Sequence, residues 1–203
     1  MKARFFTLFA TVLLVSSNAV LAEDLSAVLG RVNQFVAAGN YPKALDELAW
    51  ARTEIEKLQA GKVKTFFPDT LAGFTGQKES TSNALGFSNF ERVYKKDSSA
   101  VKISLTGGSS AGGNAGFGNL AALGRMAAMM GQQPGQETVR ISGRTATLTG
   151  TDGGSNPELT IFLDSGSLLK LESEESANGE ILKSLAEALK IDDLDAFLRG
   201  SAK

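Results

Sequence analysis

The sequence predicts an α+β protein in which an N-terminal helical hairpin precedes an antiparallel β-sheet covered by helices. Apolar residues recur at helical spacing between residues 25 and 60. They alternate with a period of two in five or six segments between residues 88 and 175, and they return to helical spacing after residue 179. Consecutive strands followed by helices are typical of α+β domains.

The first 22 residues have the features of a cleavable signal peptide. Lys2 and Arg4 form a basic start, an apolar run follows from Phe5 to Val15, and Val20-Leu21-Ala22 resembles a signal-peptidase site. A helix of this apolar run would be about 16 Å long, whereas the hydrocarbon core of a bilayer is roughly 30 Å thick. We therefore expect cleavage after Ala22 and a periplasmic protein that is not integral to the membrane.

Residues 23–62 are predicted to form the helical hairpin. Gly39 is placed to cap the first helix, Asn40 can cap the second, and Pro42 suits its first turn. The second helix, from about Tyr41 to Ala60, begins in GNYPKALDELAWA, which resembles part of a tetratricopeptide unit. A single such unit cannot bury its own apolar face, so the hairpin is expected to pack on the following domain or to offer a separate partner surface. The apolar residues are Leu25, Val28, Leu29, Val32, Phe35 and Val36 in the first helix and Leu45, Leu48, Ile55 and Leu58 in the second.

Residues 63–203 are predicted to form the sheet domain. Pro68 ends the helical pattern, Gly73 marks a turn, and Asp97-Ser98-Ser99 joins two strands as a hairpin. One sheet face is expected to be solvated and the other covered by the last helical region, in which Asp192 or Asp193 is predicted to cap a helix. The predicted strands are SNFERVYKK, AVKISLTGG, ETVRISG, RTATLTGT, PELTIFLDS and SLLKLESEE, and the covering residues are Ile181, Leu182, Leu185, Leu189, Leu194, Phe197 and Leu198.

The order of elements resembles that of the MOG1/PsbP/DcrB-like α/β/α sandwich. The chain from about Phe67 to Phe197 also resembles uncharacterised secreted proteins of Gram-negative bacteria. The matching pieces are FPDTLAGF, YKKDSSAVKISL, GRMAAMMG and VRISGRTATL. These motifs are structural, so the resemblance implies an architecture and carries over no catalytic residue.

Composition excludes several classes of function. The chain has 21 basic and 22 acidic residues, and removal of Lys2 and Arg4 with the signal leaves the mature protein at a net charge of −3. A slightly acidic protein without a basic stripe is not expected to bind nucleic acid. The chain contains no His and no Cys, so it lacks the usual general base and the commonest metal ligands. We expect no enzymatic activity and no cofactor.

Two glycine-rich motifs match catalytic patterns but lack the required context. Gly108-Ser109-Ser110-Ala111-Gly112 has the G-x-S-x-G form, yet its serine would need a base. Residues 116–121, GFGNLA, fit a dinucleotide fingerprint but follow the preceding strand at too great a distance.

Two further kinds of motif are also weak. The S-x-x-K pairs Ser99/Lys102 and Ser167/Lys170 lie at strand turns rather than at the start of a helix. The acidic clusters at residues 172–175 and 192–195 leave open a calcium site or an acid/base pair, although neither has the loop spacing of calcium sites.

The insert at residues 107–136 carries the leading functional hypothesis. It holds nine glycines and every Met except Met1, and the Met spacings of three and four place these side chains on one helical face. That face could pack in the core, could bind a hydrophobic ligand or an envelope protein as a movable flap, or could hold Cu(I) through its thioethers. We expect the flap, with Cu(I) bound by Met126, Met129 and Met130 as the alternative. The proposed binding residues are Leu120, Leu123, Met126, Met129 and Met130.

Overall fold

The computed structural model confirms the α+β class. It describes residues 20–84, 87–107, 126, 135–150 and 156–201, with side chains described from residue 25 onward except at 83–88. The chain divides into two compact units, Met1–Lys57 and Leu58–Lys203. Among the described residues, no helix combines the length and the apolar character needed to span a bilayer.

The first unit contains a pair of helices, α1 (Val20–Ala37) and most of α2 (Tyr41–Lys64). The predicted caps between them are confirmed. Gly39 has φ +69°, and the next N–H, that of Asn40, donates to the Phe35 carbonyl at 2.8 Å, which closes α1. The Asn40 side chain accepts from the Lys43 N–H at 3.4 Å and begins α2.

The second unit is built on one antiparallel sheet, in the order β1-β2-β4-β5-β9-β8-β7-β6, with β3 paired to β4 beside β2. Helices α3 (Gly179–Ala188) and α4 (Ile191–Leu198) follow the last strand. The strands are β1 (Thr70–Leu71), β2 (Phe74–Gly76), β3 (Ser80–Ala84), β4 (Phe87–Lys96), β5 (Ser99–Gly107), β6 (Gln136–Ile141), β7 (Arg144–Thr149), β8 (Glu158–Phe162) and β9 (Leu168–Glu175).

The six predicted strands correspond to β4–β9, and their turns follow from local residue chemistry. Asp97 has φ +52° in the two-residue turn between β4 and β5. Ser142 and Gly143 both have positive φ, +48° and +75°, as a type I′ turn between two strands requires. The described sheet contains nine strands, more than the five or six expected, because β1, β2 and β3 were not predicted.

The sheet has one apolar and one polar face, as predicted. Alternate residues of β5, β8 and β9 are fully buried in a core shared with α3 and α4, and the residues between them are polar and mostly half-buried. Helix α3 contacts β6, β8 and β9. Its buried residues Leu182, Leu185 and Ala186 repeat at helical spacing, so one helical stripe covers the apolar sheet face.

Arg92 and Tyr94 of β4 explain how the short strands and the segment before them are held. The Arg92 side chain is 5% exposed and donates to the carbonyls of Phe67 (2.6 Å) and Gln77 (2.9 Å) and to the Asp69 carboxylate (2.5 Å). The Tyr94 hydroxyl donates to the Pro68 carbonyl at 2.9 Å. The short strands β1 and β2 leave nearby backbone carbonyls without a strand partner. Two side chains of the longer strand β4 donate hydrogen bonds to these carbonyls instead.

Replacing Arg92 should destabilise the sheet domain strongly. Arg92→Met keeps most of the apolar stem but removes every donor, so two carbonyls lose their partner; we expect the free energy of unfolding to fall by about 2–4 kcal/mol. Urea unfolding followed by far-ultraviolet circular dichroism would measure this loss. Arg140→Met, at an exposed arginine that bonds only the Gly143 carbonyl among the described contacts, should cost less than about 1 kcal/mol. Equal losses in the two variants would contradict the assignment.

Candidate functional site

Of the five residues proposed to form the Met-rich binding face, the structure describes Met126. It is helical, and 56% of its surface is exposed. Leu120, Leu123, Met129 and Met130 lie outside the described residues, so the grouping of the five side chains stays a prediction. The segment that contains them connects Gly107, the last residue of β5, to Gln136, the first residue of β6.

The catalytic motifs considered for the sequence gain no support. Ser109 and the fingerprint at 116–121 lie outside the described residues. Ser167 is buried immediately before β9, whereas the Lys170 ammonium bonds Glu158 and Glu172. Ser99 and Lys102 both lie on β5, where residues three apart point to opposite faces. Neither S-x-x-K pair therefore has the geometry of a nucleophile beside its base.

The polar sheet face carries an ion-pair network across three strands. Glu158 on β8 lies directly opposite Glu172 on β9, an arrangement of like charges that is unfavourable by itself. The Lys170 ammonium relieves it, at 3.3 Å from Glu158 and 2.8 Å from Glu172. Lys102 on β5 approaches Glu172 from the other side at 2.9 Å. Glu172 is thus held between two lysines.

This network borders a surface depression of about 360 Å³ lined by Lys102, Glu158, Glu172, Glu174 and the segment 156–157, among others. The hydrogen bond that Lys102 donates to Glu172 raises the pKa of Lys102 against partial burial. Burial alone would raise the pKa of Glu172, but hydrogen bonds from Lys170 and Lys102 outweigh it and lower that pKa. Since the pKa values of Lys102, Lys170 and Glu172 are all displaced away from neutral pH, these three groups are suited to holding the strands together rather than to proton transfer.

A second charged cluster fixes α4 to the sheet. The Asp195 carboxylate is fully buried and accepts from the Ser165 N–H at 2.8 Å, the Asp164 N–H at 3.3 Å and the Arg144 guanidinium at 3.0 Å. Arg144 also pairs with Asp192. Burial would raise the pKa of Asp195, but the hydrogen bonds from Ser165 and Arg144 outweigh it and lower that pKa.

Two expectations about the acidic cluster at 192–195 need correction. Asp192 and Asp193 lie inside the first turn of α4, and Lys190 occupies the cap position without a side-chain cap bond, so the predicted cap is wrong. Asp195 was missed as the buried anchor. The signal was present, because Ile191, Leu194 and Leu198 place Asp195 on the apolar stripe of α4, where an unpaired carboxylate would be costly.

The acidic clusters do not form a metal site in the described part of the chain, where no three Asp or Glu side chains come together as ligands. Glu172 is instead occupied by lysines, and Asp195 by Arg144 and backbone N–H groups. The possible calcium sites considered for these clusters therefore gain no support.

Stability should decrease in acid partly through Asp195. Its pKa in the folded protein is lowered, and an unfolded Asp has a pKa of about 3.9. As the pH falls below about 4, Asp195 is protonated in the unfolded state before it is protonated in the folded state. The stabilisation that Asp195 contributes is therefore complete at neutral pH and is lost progressively below about pH 4. Urea unfolding at pH 7, 5 and 3.5 should show a smaller decrease for Asp195→Asn than for the native protein. Asp193→Asn, at an exposed neighbour, should follow the native profile; a native-like profile for Asp195→Asn would refute this role.

Comparison with known proteins adds no relative to this picture. No family model, no curated protein and no solved structure matches the chain. The resemblance to MOG1/PsbP/DcrB-like proteins therefore stays a prediction.

Proposed function

We propose that the protein is exported to the periplasm and is a non-enzymatic binding protein that takes a hydrophobic ligand or an envelope protein on its Met-rich helix. The observation that carries this proposal is the exposure of Met126, 56% in a helical conformation. Leu120, Leu123, Met129 and Met130 complete the proposed face by their helical spacing.

The contrast with the rest of the second unit supports this role. Most of its large apolar side chains are packed in or against one core, and among the described residues Leu58 and Met126 are the large apolar ones that are exposed. An exposed Met differs from an exposed Leu in its unbranched chain and polarizable sulfur, which let it adapt to different apolar shapes.

The chemistry of the chain supports a non-enzymatic role. The sequence has no His, and the pKa values of Lys102, Lys170, Glu172 and Asp195 are all displaced toward the charged form. Groups shifted away from neutral pH are poor general acids and bases.

The Met-rich face can be tested with two triple variants at Met126, Met129 and Met130. Replacement by Leu keeps the apolar volume and removes the thioethers, and replacement by Gln removes both. We expect the native protein and the Leu variant to bind the apolar fluorophore anilinonaphthalene sulfonate alike, and the Gln variant to bind it about tenfold more weakly, because one apolar face is lost. Equal binding by all three proteins would contradict the proposal.

The same proteins distinguish the alternative Cu(I) site. Thioether sulfur selects Cu(I), so a metal site would bind Cu(I) stoichiometrically in the native protein and lose it in the Leu variant. Under the proposed function, Cu(I) competition titration gives no difference between the native protein and the Leu variant.

The export step has its own test. Intact-mass analysis of protein released from the periplasm should give a chain that begins at Glu23, because Ala22 occupies the −1 position of the cleavage site. An Ala22→Arg variant should retain residues 1–22, since a large charged residue at −1 blocks recognition. Recovery of the native chain uncleaved, or only from the cytoplasm, would contradict export by this route.

A further inference from the structure

The helical hairpin of the first unit has a charged side and an apolar side. Two contacts join α1 to α2 on the charged side. Arg31 donates to both carboxylate oxygens of Glu47, at 3.1 and 2.9 Å, and the Lys43 ammonium lies 5.6 Å from the centre of the Phe35 ring. These contacts fix which surfaces of the two helices are next to each other.

The buried residues define the boundary between the two sides. Val28 and Val32 of α1 are buried, as are Ala44 and Ala51 of α2. At about 100° per residue, Glu47 is displaced from the buried alanines by roughly 40–60° in one direction. On α1, Arg31 is displaced from Val28 by about 60° with the same sense of rotation. This placement agrees with the hydrogen bond from Arg31 to Glu47.

Six large apolar residues are displaced in the opposite direction, by roughly 30–110° from the mean direction of the buried residues on their helix. Because α1 and α2 run antiparallel, equal rotations place side chains on the same side of the pair, opposite Arg31 and Glu47. Six residues therefore share this apolar side, and each is 43–65% exposed. They are Leu29 and Val36 of α1 and Tyr41, Leu45, Leu48 and Ile55 of α2.

The exposed area suits a protein interface. Six side chains, each about half exposed, present ~600 Å² if each is taken as ~200 Å², the middle of the range for aromatic side chains. That area equals the upper end of the largest apolar patch on a typical monomer, ~300–600 Å². Two copies of the apolar side would together bury ~1,200 Å², the lower limit of stable specific interfaces.

We propose that the apolar side of the hairpin binds the same side of a second copy of this chain, so that two hairpins form a four-helix bundle. An isologous contact requires a surface that can face itself without opposing like charges. Among the described residues of the hairpin the apolar side meets this condition, because the cation that shares this side, Arg52, is paired with Glu56 of its own helix at 2.8 Å. Packing of two antiparallel helix pairs is a common way to bury such stripes.

The proposal is tested by sedimentation equilibrium of the native protein over a range of concentrations. We expect a dimer with a dissociation constant on the order of micromolar, the weak end of the range for specific interfaces. The double variant Leu45→Gln/Leu48→Gln removes the centre of the apolar side and should raise that constant by about tenfold or more. Trp50→Gln is the matched control, because Trp50 is 43% exposed on the same helix but lies on the charged side.

Each outcome decides the matter. A concentration-dependent dimer that is weakened in the double variant and unchanged in Trp50→Gln, with circular dichroism spectra unchanged, supports the proposal. A native protein that stays monomeric to roughly 200 μM overturns it. An equally stable dimer in the double variant, or equal weakening by Trp50→Gln, also overturns it. If the native protein is monomeric and the double variant has a lower urea midpoint, the apolar side packs within its own chain.

Discussion

Asp195 is a carboxylate with no solvent exposure, and it connects the last helix to two separate parts of the sheet. It receives the N–H groups of the β8–β9 turn and the guanidinium of Arg144 at the start of β7. A buried carboxylate without such partners would be strongly unfavourable. The position of α4 is therefore specified by geometry, since only one placement satisfies the charge, whereas apolar packing of α3 would tolerate small displacements.

On the polar sheet face, charged groups also need partners, but their partial solvation makes an imperfect pairing less unfavourable. Glu172 is opposed by Glu158 on one side and neutralised by Lys170 and Lys102, and these groups stay partly solvated. Partly exposed ion pairs contribute little individually. Their effect here is on register, because a shift of β9 by one residue would exchange Glu172 with a buried neighbour.

The two units handle apolar residues differently. The sheet domain covers its apolar face with its own C-terminal helices. In the hairpin, α1 and α2 carry apolar stripes that are wider than the surface between the two helices. In the part of α2 that belongs to the first unit, the small residues Ala44 and Ala51 are buried, while Tyr41, Leu45, Leu48 and Ile55 stay exposed. This excess of apolar surface is the physical basis for the proposed pairing with a second copy.

The sequence by itself determined the local features: the helix cap at Gly39, the two-residue turns at Asp97 and Ser142, and the strands β4–β9. Each depends on backbone preferences or on alternation within a few residues, which one segment carries alone. Only the tertiary structure decided the strand order, the short strands β1–β3, and the roles of Arg92, Asp195 and Glu172. The hydrogen-bond partners of Arg92 and Asp195 lie 15 to 51 residues away in the chain, such as Gln77 for Arg92 and Arg144 for Asp195. Glu172 likewise pairs with Lys102 of a distant strand. A charged residue on an apolar stripe, such as Asp195, indicates from the sequence that a buried charge needs a partner. Which residue becomes that partner depends on the packing of the whole domain.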